Sequence, residues 1–137
     1  MATFDVQALR PLRHRHGRTY QRKSFIFVED ETGTEFFVIL SGAVDIVKHR
    51  VGPDGQPGEV VLARLGPGAF FGEMATFTGQ RRSATAIAAE PTDVLCFNRE
   101  TIVQLMRTNP GFAITIIRSL CERVDALNEW ISSAGRA

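Results

Sequence analysis

In the middle of the chain, apolar residues come in short runs broken by turn residues. Phe25-Ile26-Phe27-Val28 is the first run, and Phe36-Phe37-Val38-Ile39-Leu40 is the second, closed by Ser41-Gly42. Ala43 to Val47, Val60 to Leu65, Ala84 to Ala88 and Val94 to Phe97 follow. Runs of this length, rich in Val, Ile and Phe, predict strands. Gly52-Pro53-Asp54-Gly55-Gln56-Pro57-Gly58 and Gly66-Pro67-Gly68 predict loops between them. Many short strands at regular spacing imply a sandwich or a barrel-like roll.

Both ends of the chain differ from this pattern. Asp5 to Leu9 predicts a short helix or turn, followed by a basic arm. After Phe97 the period lengthens. Asn98 predicts an N-cap for a short helix to about Arg107, with Glu100 in its first turn. Asn109 predicts a second N-cap, with Pro110 at the first helical position. The helix from there to about Ile131 carries apolar residues at Ala113, Ile117, Leu120, Val124, Leu127 and Ile131. Those positions alternate four and three apart, the spacing of a coiled-coil seam. Phe112 and Ile116 on a second flank suffice to pack the helix on its own domain. The seam is therefore surplus, and self-association through this helix is the expectation.

Composition narrows the class. The chain has 137 residues, with 44% hydrophobic and 23% charged, ordinary values for one globular domain able to bury its own core. Its two cysteines, Cys96 and Cys121, read as free thiols in a reducing cytoplasm. Met1 to Leu12 lacks the apolar core of a secretory signal, and no apolar run is long enough to span a bilayer. The net charge of +1 gives no support to a nucleic-acid surface. One local exception is the basic stretch from Arg10 to Lys23, expected to be a solvated, partly mobile terminus.

The candidate chemistry lies between residues 70 and 85, Phe-Phe-Gly-Glu-Met-Ala-Thr-Phe-Thr-Gly-Gln-Arg-Arg-Ser-Ala-Thr. Gly72 lets the backbone approach something closely. Glu73 places a carboxylate directly after an apolar pair, where a charge needs a partner. Met74, Ala75 and Thr76 can form a turn whose N–H groups face an anion. Arg82 is a fixed cation suited to phosphate, Ser83 adds a hydroxyl, and Ala84 leaves room. A carboxylate for hydroxyl hydrogens, beside an arginine and amides for one negative charge, describes a pocket for a ribose phosphate. The plainer alternative is a surface salt bridge between Glu73 and Arg82.

Taken together, Phe-Gly-Glu-Met-Ala followed by Arg-Ser-Ala-Thr resembles the phosphate-binding cassette of the cyclic nucleotide-binding domain family. Ser24 to Gly42, Leu65-Gly66-Pro67-Gly68 and the two closing helices are similar to that family as well. The resemblance covers about Arg18 to Ile131. It implies a mainly β fold with α, a double-stranded β-helix or jelly-roll β-roll followed by a short helix and a long one. It divides the chain into an N-terminal helix and basic arm (1–17), the β-roll (18–97) with its cassette (70–85), and C-terminal lid and dimerisation helices (98–137).

The resemblance also assigns roles. Glu73 would accept the ribose 2′-hydroxyl, and Arg82 would pair with the cyclic phosphate. The amides of Met74 and Ala75, with Ser83, would complete the cradle beside Phe71, Gly72 and Ala84. Val61 and Leu62 would line the purine, and Arg123, Asn128 or Trp130 on the last helix would close over it. Lys23-Ser24 departs from the family, which usually has a Gly there. The implied ligand is cAMP, with cGMP as alternative; no cofactor is implied, and an output partner is unspecified.

The chain stops at Ala137, without room for the helix-turn-helix that transcription factors of this family carry. A stand-alone cytoplasmic sensor, or an effector domain cut from a larger regulator, channel or enzyme, is the expectation. Two other classes compete. A metal enzyme of the cupin type needs a His-x-His with a following Glu on barrel strands; His14 and His16 precede the first strand, and no such Glu follows. An interaction scaffold with a relic pocket would be expected to lose Glu73 or Arg82, and both are present.

Overall fold

The computed structural model describes residues 2–135. Met1, Arg136 and Ala137, the outer ends of the expected N-terminal arm and C-terminal region, lie outside the described residues. Eight strands form two four-stranded antiparallel sheets. They are β1 (Gly17–Tyr20), β2 (Phe25–Phe27), β3 (Phe36–Ser41), β4 (Val44–Val51), β5 (Pro57–Leu65), β6 (Phe70–Phe71), β7 (Thr85–Ala88) and β8 (Thr92–Phe97). The first sheet has the order β1-β8-β3-β6 and the second β2-β7-β4-β5. The helices are α1 (Val6–Leu9), α2 (Arg13–His16), α3 (Glu73–Thr78), α4 (Arg99–Thr108) and α5 (Pro110–Ala134). This is the expected jelly-roll with a long final helix.

The continuous apolar runs have a simple cause. Apart from its exposed edge strand β1, the first sheet is covered on both faces, so β3, β6 and β8 do not alternate apolar with polar. On β3, Phe36, Val38 and Leu40 face the helices, while Phe37 and Ile39 face the second sheet. On β8, Leu95 and Phe97 join the helical side, and Val94 and Cys96 the inter-sheet side. Phe70 and Phe71 on β6 split the same way. Phe36 stacks on Phe70 at 5.2 Å, and Phe37 on Phe71 at 5.0 Å, so each aromatic layer is continuous across β3 and β6. Gly42 joins β3 to β4 with φ 93°, and a Cβ there would strike Thr92 and the Pro91 carbonyl.

Several boundaries differ from the sequence reading. The β4–β5 hairpin extends to Val51 opposite Pro57, which shortens the predicted loop. The outer part of that hairpin is exposed and polar, so no apolar run marked it. The N-terminal arm is also more ordered than expected. Asp5 caps α1 by accepting from the amides of Gln7 and Ala8 at 3.0 and 3.4 Å. A 3₁₀ turn (Arg10–Leu12) and α2 follow. Val6, Leu9 and Leu12 pack on the helical-side core, and Phe4 lies 4.4 Å from Phe112, so buried apolar contacts anchor the arm.

Asn98 caps α4 as predicted, accepting from the Thr101 amide at 2.8 Å. Asn109 precedes α5 but its side chain makes no capping bond. Phe112, Ile116 and Ser119 form the buried flank of α5. Among the seam residues, Leu120 packs partly against the core. Ile117, Val124, Leu127 and Ile131 are each more than half exposed.

Lys23, at the place where a glycine was expected, takes φ 69°. The backbone therefore keeps the left-handed turn that a glycine would fit, held by the Lys23 amide donating to Ala88 at 2.7 Å.

Candidate functional site: a cavity under the last helix

A cavity of about 480 Å³ lies between β4, β5, the start of α3 and α5. That volume suits a small organic ligand. Phe71, Gly72, Glu73, Met74 and Ala75 reach it from the turn between β6 and α3. Arg82, Ser83 and Ala84 reach it from the segment before β7, Leu62 from β5, and Arg123 from α5. Val61 and Asn128 do not line it. Val61 faces out at 59% exposure, and Asn128 sits on the exposed side of α5. Trp130, at 69% exposure, does not reach the cavity either.

The reason for Val61 is a register shift. Ile46 pairs with Ala63 and Val47 with Val61, which leaves Leu62 without a partner across the ladder. A bulge of this kind lets two consecutive side chains address one side. Leu62 and Ala63 both line the cavity, and Val61 is displaced from it.

Gly72 is the hinge of the site. Its φ is 85°, and a Cβ there would lie 2.8 Å from the Glu35 carbonyl oxygen and 3.1 Å from Arg82 Nη1. Both the conformation and the crowding demand glycine. Gly72 opens α3, whose first-turn amides have no acceptor within the helix. Glu73 is the first residue of that turn and is 8% exposed.

Glu73 and Arg82 do not pair with each other on the surface; each has a different partner. Arg123 Nη1 donates to Glu73 Oε1 at 2.5 Å. The same guanidinium donates to the Phe70 carbonyl at 3.4 Å and stacks over the Phe70 ring at 5.0 Å. An ion pair thus fastens α5 to the turn that opens α3.

Arg82 is held from several directions. Its backbone pairs with the turn after β2: the Asp30 amide donates to Arg82 O at 2.8 Å, and the Arg82 amide to Glu31 O at 2.9 Å. Its guanidinium donates to the carbonyls of Glu35 at 3.0 Å and Gly72 at 3.3 Å, and to the Glu35 carboxylate at 3.1 Å. Phe27 lies flat beneath it at 4.1 Å. The side chain is 3% exposed. Burial pushes its pKa down from the ordinary arginine value, and Glu35 opposes that shift; the group stays a cation.

Sequence reasoning missed Glu35, which stands directly before the apolar run of β3 and far from the cassette. No spacing rule links it to Arg82; only the fold does. It also missed Phe27, Ile46, Ala63, Leu65 and Ala126 as lining residues. Apolar runs marked the first four as core, and the curvature of the roll turned part of that core into a cavity wall; Ala126 reaches the cavity from α5. Among the described residues, no group of three His, Cys, Asp or Glu side chains is placed to hold a metal. No described helix is long and apolar enough to cross a membrane.

Known proteins resemble this chain in sequence and in fold. The cyclic AMP receptor protein of Thermus thermophilus is 36% identical over 107 residues, 78% of this chain and 48% of the relative. The cAMP-dependent protein kinase regulatory subunit of Mycosarcoma maydis is 37% identical over 76 residues, 56% of this chain and 14% of the relative. The crystal structure of Thermus thermophilus catabolite activator protein superposes with a TM-score of 0.75 at 33% identity, covering 85% of this chain and 53% of the other. The chain thus spans about half the length of the first of these relatives, and far less of the second. These relatives are regulatory proteins. The family model described as "Cyclic nucleotide-binding domain" matches residues 17–109, from β1 to the end of α4, and the chain belongs to that family.

Proposed function

We propose that this domain is a cyclic nucleotide sensor, not an enzyme, and that it reports ligand binding through α5. One observation carries the reading. Glu73, Arg82 and Ser83 converge beside Gly72 on a single cavity whose cover, α5, is tied to Glu73 by Arg123. Glu73 would accept the ribose 2′-hydroxyl. Arg82 and Ser83, with the first-turn amides of α3, would hold the cyclic phosphate. The ligand is a 3′,5′-cyclic purine nucleotide, with cAMP first because the relatives' names carry it.

The ion pair supplies the coupling. A ribose hydroxyl at Glu73 must share the carboxylate with Arg123, which keeps its bond to the Phe70 carbonyl. The sharing changes what holds α5, and the ligand selects the helix position it binds better. The exposed stripe of Ile117, Val124 and Ile131 suits a second copy of α5, so a homodimer is the proposed assembly. An output partner, in the cytoplasm or within a longer chain, would read the same helix.

Calorimetry with cAMP and cGMP tests the ligand. Binding of at least one is expected. Arg82→Ala should weaken it by about 2–5 kcal/mol, because the phosphate then lies in the cavity without its cation. No heat from either nucleotide at millimolar concentration would refute the reading. Light scattering tests the assembly. Ile117→Glu is expected to convert a dimer to a monomer, and a wild type that is monomeric with and without ligand would remove the dimer.

A further inference from the structure

We propose that the cavity reads the sugar and phosphate but not the base, so that adenine and guanine cyclic nucleotides compete for it on nearly equal terms. This inference rests on the cyclic nucleotide reading and concerns which ligand that same site selects.

Polar side chains are unevenly placed around the cavity. Glu73, Arg82, Ser83 and Arg123 are its only lining residues with a side-chain oxygen or nitrogen among those described. Three of them are gathered by direct bonds around the turn that opens α3. Arg123 bonds Glu73 and the Phe70 carbonyl, and Arg82 bonds the Gly72 carbonyl. Ser83 follows Arg82 in the chain. A sugar phosphate occupying that end consumes them.

The opposite wall is formed by Ile46, Leu62 and Ala63 on the β4–β5 hairpin and by Ala126 and Leu127 on α5. None of these side chains can donate or accept a hydrogen bond. A purine between them is held by contact and shape alone. Adenine and guanine differ chiefly in which edge atoms donate and accept, and this wall cannot interrogate those atoms.

The backbone does not restore a choice. β4 is paired on both sides, with β5 and β7, whereas β5 is an edge strand, so its outward peptide groups, and that of Leu62, which the bulge leaves outside the ladder, have no strand partner among the described residues. One peptide group carries both a donor and an acceptor. It can serve the adenine amino group or the guanine carbonyl alike. Apolar pockets reject a near-isostere only weakly, whereas pockets built to hydrogen-bond a polar substituent reject its absence by many powers of ten. Leu127 and Leu62 are therefore the specificity-determining positions, and they determine permissiveness.

The test measures cAMP, cGMP and cIMP binding to the chain by calorimetry and by mutual competition. Dissociation constants within about tenfold of one another are expected, at the weak end of apolar-pocket discrimination. A preference beyond about a hundredfold for one purine would overturn the inference while leaving the cyclic nucleotide reading intact. Failure to bind any of them would overturn both. Leu127→Gln supplies the second arm: the position is 60% exposed, so the substitution spares the fold. It places an amide against the base and should move the cAMP-to-cGMP ratio by threefold or more. An unchanged ratio, with binding retained, would show that Leu127 does not face the base.

Discussion

Glu35 gives the sharpest prediction, because it occupies the cation assigned to the phosphate. Its carboxylate lies 3.1 Å from Arg82 Nη2. A phosphate accepting from the free edge of the same guanidinium would sit about 6 Å from that carboxylate. Two unit negative charges at that separation repel by about 2.8 kcal/mol at an effective dielectric of 20 and about 0.7 kcal/mol in water-like screening. The Glu35 side chain is 42% exposed, which places the value toward the lower figure, about 1 kcal/mol. Glu35→Gln removes the charge and keeps the shape. Arg82 stays in place through the Glu35 and Gly72 carbonyls and the Phe27 ring. The variant should bind cyclic nucleotide about fivefold more tightly in calorimetry at low salt. The gain should shrink in about 1 M salt, where the screening length falls to about 3 Å. Weaker binding by Glu35→Gln would refute the reasoning, and would mean that Glu35 orients Arg82 instead of competing for it.

Two further outcomes concern the scaffold. Lys23→Gly should raise stability by about 0.5–1 kcal/mol in denaturant titration, since the left-handed backbone at φ 69° costs a side chain more than glycine's extra freedom costs the unfolded state; a loss of stability would show that the Lys23 side chain holds the turn. The buried Cys96 thiol is pushed above its ordinary pKa by desolvation, while Cys121 is exposed on α5. A thiol reagent should therefore modify one cysteine in the native protein and both after unfolding, and rapid modification of both would mean that the inter-sheet core opens.

Six of the eight described strands were legible because each carries its own apolar run; β1, polar and exposed, and β6, only two residues long, were missed. Phe36 to Leu40 and Val94 to Phe97 are apolar at every position, as strands covered on both faces must be. The cassette was legible for the same local reason: Gly72, Glu73, Arg82 and Ser83 lie within a dozen residues and all reach one cavity. Val61 was misjudged because a bulge changes alternation without changing composition. The order of the N-terminal arm was also missed. Its charges dominate the sequence, while the few contacts of Phe4, Val6, Leu9 and Leu12 decide its position.

The amino-acid sequence alone thus determined the family, the six strands with apolar runs and the residues proposed to hold the anion, since each depends on neighbours in the chain. Only the tertiary structure decided the pairings. Arg82 answers to Glu35 and Glu73 to Arg123, partners separated by 47 and 50 residues. It also decided that the cavity wall of Ile46, Leu62, Ala63, Ala126 and Leu127 carries no polar side chain. That property belongs to a surface assembled from β4, β5 and α5, and no one of these segments encodes it.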